Sequence, residues 1–284
     1  MSALISDNTT LLRYIPNTLK AVAGETSLYD KIQYHLLHAE TWLTDTFVST
    51  DTMSRIKTYS DITPLLHFCR IIVASEAMLH AIPQLDLILT PNGFGIVSNQ
   101  NIAPASKERI ERLLSSLEKT RDDALQTIQP MLLEAHHWLN SKPYNFFAKT
   151  MFPTLDIVQN LGFNDHIWLK YTDIRNQLII IEDKLARDYF SESLMETLRK
   201  CIIRNDFSKS PDSNAYLKLS NRIRSIEFSI LRTGEFPTPS IIDAVNFIRT
   251  SKSYVFLEWK NSDTFNLFKD YGYKNKKESS GYFF

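Results

Sequence analysis

The sequence predicts a mostly α protein, a duplicated helix-pair bundle with one inserted β-hairpin. Three observations lead there. Apolar residues recur at helical spacing along most of the 284 residues. Glycine is scarce, at 7 residues, which favours helices over hairpin-rich sheets. One set of residue types also returns at a fixed distance. Tyr29, Ile32, Leu36, Leu37, Glu40, Leu43 and Phe47 are answered 142 residues later by Tyr171, Ile174, Leu178, Ile179, Glu182, Leu185 and Tyr189.

The match continues through Ser49/Ser191, Met53/Met195 and Ile56/Leu198. Any two amphipathic helices align apolar to apolar, so the identities of type carry the argument. The spacing 29, 32, 36, 40, 43, 47 is one helical face. A second helix follows each copy. Leu65, Leu66, Cys69, Ile72, Val73 and Glu76 line one, and Tyr216, Leu217, Ile223, Ile226 and Glu227 the other. The repeating unit is therefore a helix pair. This gives a first helical repeat over 1–140, a second over 141–270 and a C-terminal arm over 271–284.

Taken in order, Asn8 to Tyr14 reads as a short helix, with Asn8 or Thr9 as cap and Pro16 stopping it. Ser27 caps the first repeat helix, which runs to about Val48. Thr50 to Tyr59 reads as a polar connection. Pro64 opens a helix that Pro83 ends. Leu85 to Ser98 changes character: apolar β-formers flank Pro91-Asn92-Gly93, a hairpin signal with Asn92-Gly93 at its tip. Ser106 caps a long amphipathic helix ending near His137, with a kink or break expected at Pro130. Leu139 to Pro153 marks the boundary between repeats, since Asn140-Ser141-Lys142-Pro143-Tyr144-Asn145 is turn-forming. The second copy reads as helices over about 154–161, 167–190, 191–204, 214–232 and 240–250. Gly234 to Pro239 makes the connection that the hairpin makes in the first copy. The hairpin thus belongs to one half only, and added elements are where function often sits.

Composition narrows the function. Hydrophobic residues make up 43% and charged residues 23%, ordinary for a soluble globular protein. Net charge is zero, which argues against nucleic acid as the main partner and against sequence-specific recognition of it. Cys69 and Cys201 read as buried free thiols of a reducing compartment. No apolar stretch is expected to approach the roughly 18 residues of a membrane helix. No signal peptide is read at the N-terminus, and a cytoplasmic setting is expected.

No catalytic signature stands out, and no enzyme is expected. His35, His38 and Glu40 lie close in sequence, and Glu134 to His137 has the Glu-x-x-His spacing of a di-iron carboxylate site, with His136 alongside. Such a site needs a second Glu-x-x-His, which the chain lacks. Zinc motifs, nucleophile elbows and phosphate loops are also missing, so neither metal nor cofactor is predicted. Glu40 and Glu182 could form an acid/base pair, but a repeated Glu on an apolar face more often meets an Arg such as Arg70 or Arg222. The last residues, Tyr271 to Phe284, are basic and glycine-punctuated and end in three aromatics. Lys274, Lys276 and Lys277 would keep such an arm soluble, and Tyr282, Phe283 and Phe284 would anchor it in a partner's groove.

Two neighbouring stretches carry a resemblance: Leu89-Thr90-Pro91-Asn92-Gly93-Phe94-Gly95-Ile96-Val97-Ser98, and Ala103-Pro104-Ala105-Ser106-Lys107-Glu108-Arg109. Together they resemble an uncharacterised structural protein family of tailed phages and prophages, of about this chain's length. The Lys/Ser/Gly/aromatic C-terminus is similar too. The resemblance implies a role like that of head–tail connector (neck adaptor) proteins, with no catalytic positions. The expected partners are then the chain itself in a ring oligomer, and portal, tail or neck proteins, with no membrane. The setting is the virion, and the host cytoplasm during assembly. Candidate partner-binding residues are Asn92, Gly93 and Phe94 on the hairpin, and Lys274, Lys276, Lys277, Tyr282, Phe283 and Phe284 on the arm. The rival is a helical-bundle enzyme or ligand-binding protein with its site near Glu134/His137.

Overall fold

The structure is a computed structural model, and it describes residues 3–15, 26–58, 63–85, 87–90, 93–96 and 106–268. These residues are mostly helical and fall into two compact units, 1–175 and 176–284.

In the first unit, α1 (Asn8–Leu12) begins at Asp7, whose side chain accepts the Thr10 amide at 2.8 Å. Helix α2 (Leu28–Leu43) is capped by Ser27 and turns Ile32, Leu36, Ala39 and Leu43 inward. It continues as one wide π-helical turn, Thr44–Val48. Helix α3 (Thr50–Thr58) follows, then α4 (Thr63–Leu85), which packs between α2 and α5 (Lys107–Glu134). Strands β1 (Leu87–Thr90) and β2 (Gly93–Ile96) lie between α4 and α5 and pair antiparallel, Leu87 opposite Ile96 and Thr90 opposite Gly93. Two short helices, α6 (Lys142–Phe147) and α7 (Asp156–Asn160), lead to α8 (Ile167–Leu185).

The division between units falls inside α8. The expected 140/141 boundary follows the sequence pattern, whereas the compact units follow packing. Phe147 of α6 meets Phe47 at 5.3 Å and Tyr171 of α8 at 5.8 Å between ring centroids. Tyr171 Oη also donates to the Phe152 carbonyl at 3.2 Å. These aromatics hold the first turns of α8 in the first unit.

The second unit continues α8 into a π-helical turn, Ala186–Phe190, then α9 (Glu192–Ile203) and α10 (Ser213–Thr233). Gly234 takes the left-handed conformation that ends α10, with φ +74°. Helix α11 (Thr238–Arg249) and short α12 (Leu257–Lys260) and α13 (Asp263–Asn266) come next.

Several expectations need correction. Thr50–Thr58 is a helix and not a connection, because Thr52, Met53 and Ile56 form a buried stripe inside a polar composition. The 142–147 segment is a helix with Pro143, Tyr144 and Phe147 buried, so it is no linker. Helix α4 runs past Pro83 to Leu85, and α5 past Pro130 to Glu134. Both prolines are exposed, and in each helix tertiary packing of the buried stripe outweighs the lost backbone bond. One segment, Pro64–Leu85, does reach the length and apolarity of a membrane span, over 22 residues. It has neighbours on two sides within its unit, and a helix flanked on both sides is apolar nearly all round. The cap of α1 is Asp7 rather than Asn8 or Thr9. Cys69 is buried, but Cys201 is only half-buried; both are free.

Candidate functional site

Two elbows, one per unit, have a long helix that ends in a π turn and a serine of unusual backbone conformation. In each turn a Ser amide reaches back five residues: Ser49 to the Thr44 carbonyl at 2.8 Å, and Ser191 to that of Ala186 at 2.7 Å. Both serines have positive φ with extended ψ, +74°/153° and +64°/146°. That region is nearly reserved for glycine, and residues held there cluster at functional or switching positions. The next helix holds each serine in place. The serine Oγ accepts the first amides of that helix, Thr52 and Leu194, both at 3.4 Å, and its carbonyl accepts the Met53 or Met195 amide.

A wide turn leaves carbonyls without their usual partner four residues on. A tryptophan supplies one. Trp138 Nε1 donates to the Phe47 carbonyl at 2.6 Å, and Trp259 Nε1 to the Tyr189 carbonyl at 2.7 Å. The residues after each tryptophan also correspond. Ser141 and Ser262 cap the next short helices, accepting from Tyr144 and Phe265. Trp138 meets the rings of Tyr144 and Phe147 at 5.6 and 6.2 Å, and Trp259 meets Phe265 and Phe268 at 5.0 and 5.9 Å.

Beside each elbow a carboxylate from the long helix meets a cation from the short one. Glu40 accepts the Lys57 ammonium and the Leu4 amide, the latter at 2.8 Å. Fully buried Glu182 accepts Arg199 Nε at 2.6 Å, and Arg199 Nη1 reaches Glu192 at 2.8 Å. The pairing of each Glu with a cation agrees with the expectation, but the cations do not. Arg70 donates to the Leu4 carbonyl, and Arg222 lies against Asp243 and Phe247. Burial and the nearby Glu40 push the Cys69 thiol up to about 12, so it stays protonated and inert.

A groove opens on each elbow, about 170 Å³ in the first unit and about 480 Å³ in the second. Four of its positions match at the 142-residue spacing: Thr41/Asp183, Thr44/Ala186, Asp45/Arg187 and Thr50/Glu192. Glu40 and Lys57 line the first groove. The second is lined in addition by Asp263, Thr264 and Leu267.

Of the predicted site residues, Gly93 and Phe94 begin β2, and Gly93 is paired with Thr90, so it lies in the strand and not at the tip. Asn92 and the arm residues Lys274, Lys276, Lys277, Tyr282, Phe283 and Phe284 lie outside the described residues. Glu134 is the last residue of α5, and His136 and His137 are in the turn after it, so they do not share a helical face. Among the described residues no group of three or more His, Cys, Asp and Glu is placed to hold a metal.

Sequence reading missed Lys57, Arg199 and both tryptophans. Lys57 and Arg199 hold the 142-residue spacing but differ in type. The Trp-x-x-Ser-x-x-aromatic-x-x-Phe run of 138–147 returns at 259–268, but 121 residues on, so a search at one spacing passes over it.

Residues 15–148 match the family described as "Family of unknown function (DUF6712)". The match spans α2 to α6, and so the whole elbow of the first unit with its Lys57 and Trp138. No curated protein and no solved structure matches the chain.

Proposed function

We propose that the chain is two copies of one helical module and works as a structural subunit, a head–tail connector or neck adaptor that assembles into a ring. The observation that carries this reading is the contrast between two otherwise corresponding halves. Both have the π turn, the strained serine, the Glu–cation pair and the tryptophan. Between α4 and α5, however, the first half has 21 residues that include β1 and β2, where the second has only Gly234–Pro237 between α10 and α11. An element added to one copy is not required by the module's own core, and in this reading it is the part that meets a neighbouring subunit. The phage-family resemblance lies in and just after that same stretch. In this reading the hairpin and the basic, aromatic-ended arm bind neighbouring copies and portal, tail or neck proteins, in the virion and in the host cytoplasm during assembly.

The test is electron microscopy and sedimentation of the purified chain, whole and ended after Asp270. Closed rings from the whole chain, lost in the shortened one at unchanged melting temperature, support the reading. A chain that stays monomeric at every concentration, with and without portal protein, overturns it.

A further inference from the structure

The second unit holds a carboxylate with no partner. Glu227, on α10, is completely buried, and neither of its oxygens has a hydrogen-bond partner. No other carboxylate among the described residues is in that state. Its counterpart explains why. The buried faces of α4 and α10 align as Leu65, Cys69, Ile72, Glu76 with Tyr216, Ser220, Ile223, Glu227. Glu76 is also buried, but Arg121 Nη1 and His80 Nε2 reach it at 2.8 and 3.1 Å. In the same alignment the position of His80 is Leu231. On the facing helix, Arg121, Ala124, Leu125 and Ile128 of α5 align with Ile241, Ala244, Val245 and Ile248 of α11. Both partners of the first carboxylate are thus apolar residues in the second unit.

The charged surroundings of Glu227 are few. From α8 comes Glu182, itself completely buried, and from α9 Arg199, already engaged with Glu182 and Glu192. From α10 itself comes Arg224, three residues before it. The inward face of α11 contributes Ile241, Ala244, Val245 and Ile248; its Asp243 is exposed and lies near Arg222. Burial first, and then the Glu182 carboxylate, push the Glu227 acid well above the ordinary range, while Arg199 and Arg224 oppose this less strongly.

We propose that Glu227 is a proton-operated switch in the second unit: as a neutral acid it is accommodated in the core, and as a carboxylate it drives α10 outward to reach water. The step is a plain acid dissociation, the proton passing to solvent base. An ionised oxygen pair with no donors, beside a second buried carboxylate, cannot remain where it is. Linkage fixes the sign. The unfolded chain releases this proton near the ordinary glutamate value, 4.5, whereas the folded unit keeps it to a much higher pH. The stabilisation is therefore complete below the unfolded value and is lost as pH rises toward the folded one. Through that window the folding constant falls by up to about tenfold per pH unit.

The experiment compares the whole chain with Glu227→Gln, which keeps the shape and cannot ionise. Chemical unfolding from pH 5 to 9 is expected to show the wild type losing stability relative to Glu227→Gln. Hydrogen exchange in α10 is expected to rise with pH in the wild type beyond its rise in the variant. Isotope-edited infrared spectra of the wild type at pH 7 supply a second readout that needs no variant, and should contain a protonated glutamic acid carbonyl. Two parallel pH profiles, or spectra in which every glutamate is ionised at pH 7, overturn the proposal.

Discussion

Ser191 offers the sharpest test of the elbow. It sits at φ +64° and ψ 146°, buried, with its Oγ 3.4 Å from the Leu194 amide. Two effects oppose each other there. Holding a side chain in that conformation costs roughly 1–3 kcal/mol. The cap contributes typically ~1 kcal/mol, and a bond of 3.4 Å belongs at the lower end of its range. Ser191→Ala removes the cap and keeps the Cβ, hence the strain. It should destabilise by about 0.5–1 kcal/mol. Ser191→Gly removes the same cap but also releases the strain, offset by roughly 0.5–1 kcal/mol of extra chain entropy in the unfolded state. Glycine should therefore be the more stable variant by about 1 kcal/mol, and near wild type. Urea unfolding read by tryptophan fluorescence resolves this, provided the slope is unchanged between variants. If alanine equals or exceeds glycine, the backbone is not strained and the serine is an ordinary cap. The same pair at Ser49 should behave alike, since its φ, ψ and cap distance are nearly the same.

Trp138→Phe and Trp259→Phe each keep an aromatic ring but leave a carbonyl of the π turn without its donor. Each should cost about 1–3 kcal/mol in chemical unfolding, more than the change in area alone. Arg199→Ala removes the cation paired with the fully buried Glu182 and should cost about 3–5 kcal/mol, read as a fall in unfolding midpoint. Lys57→Ala should cost clearly less, because Glu40 is partly exposed and retains the Leu4 amide. Equal losses for the two would show that burial does not set the difference.

The long helices are legible in the sequence because their stripes are long. Ile32, Leu36, Ala39 and Leu43 in α2, or Leu117, Ala124, Leu125, Ile128 and Leu132 in α5, repeat often enough to outweigh any polar neighbour. Ser27 is legible as a cap because the amide it needs is three residues away. Helix α3 is not, since nine residues give it only three inward positions, one of them a threonine. The tryptophans are hidden for another reason. Their partners are backbone carbonyls 91 and 70 residues away, and a carbonyl leaves no mark in residue type. Nor does anything local mark Ser49 and Ser191 as strained; a turn needing positive φ is read from glycine, and here the glycine is missing.

The comparison of the elbows indicates what this architecture requires and what it leaves open. A π turn makes two demands, a donor for its stranded carbonyl and a start for the next helix. Both units meet them with the same residue types, Trp and Ser, although the strained serine carries an energetic cost. The acids on the inward helix faces behave differently. Glu40 and Glu182 need only a positive charge, and Lys57 and Arg199 are two solutions. Glu76 has an arginine and a histidine, while Glu227 has neither. A carboxyl group can tolerate that loss because protonation removes its charge, whereas a buried amide or carbonyl has no such escape. Backbone demands thus fix residue type in both halves, and side-chain charge is where the halves can diverge. The two units then respond differently to the same medium, with pH acting on the second where the first keeps its ion pairs.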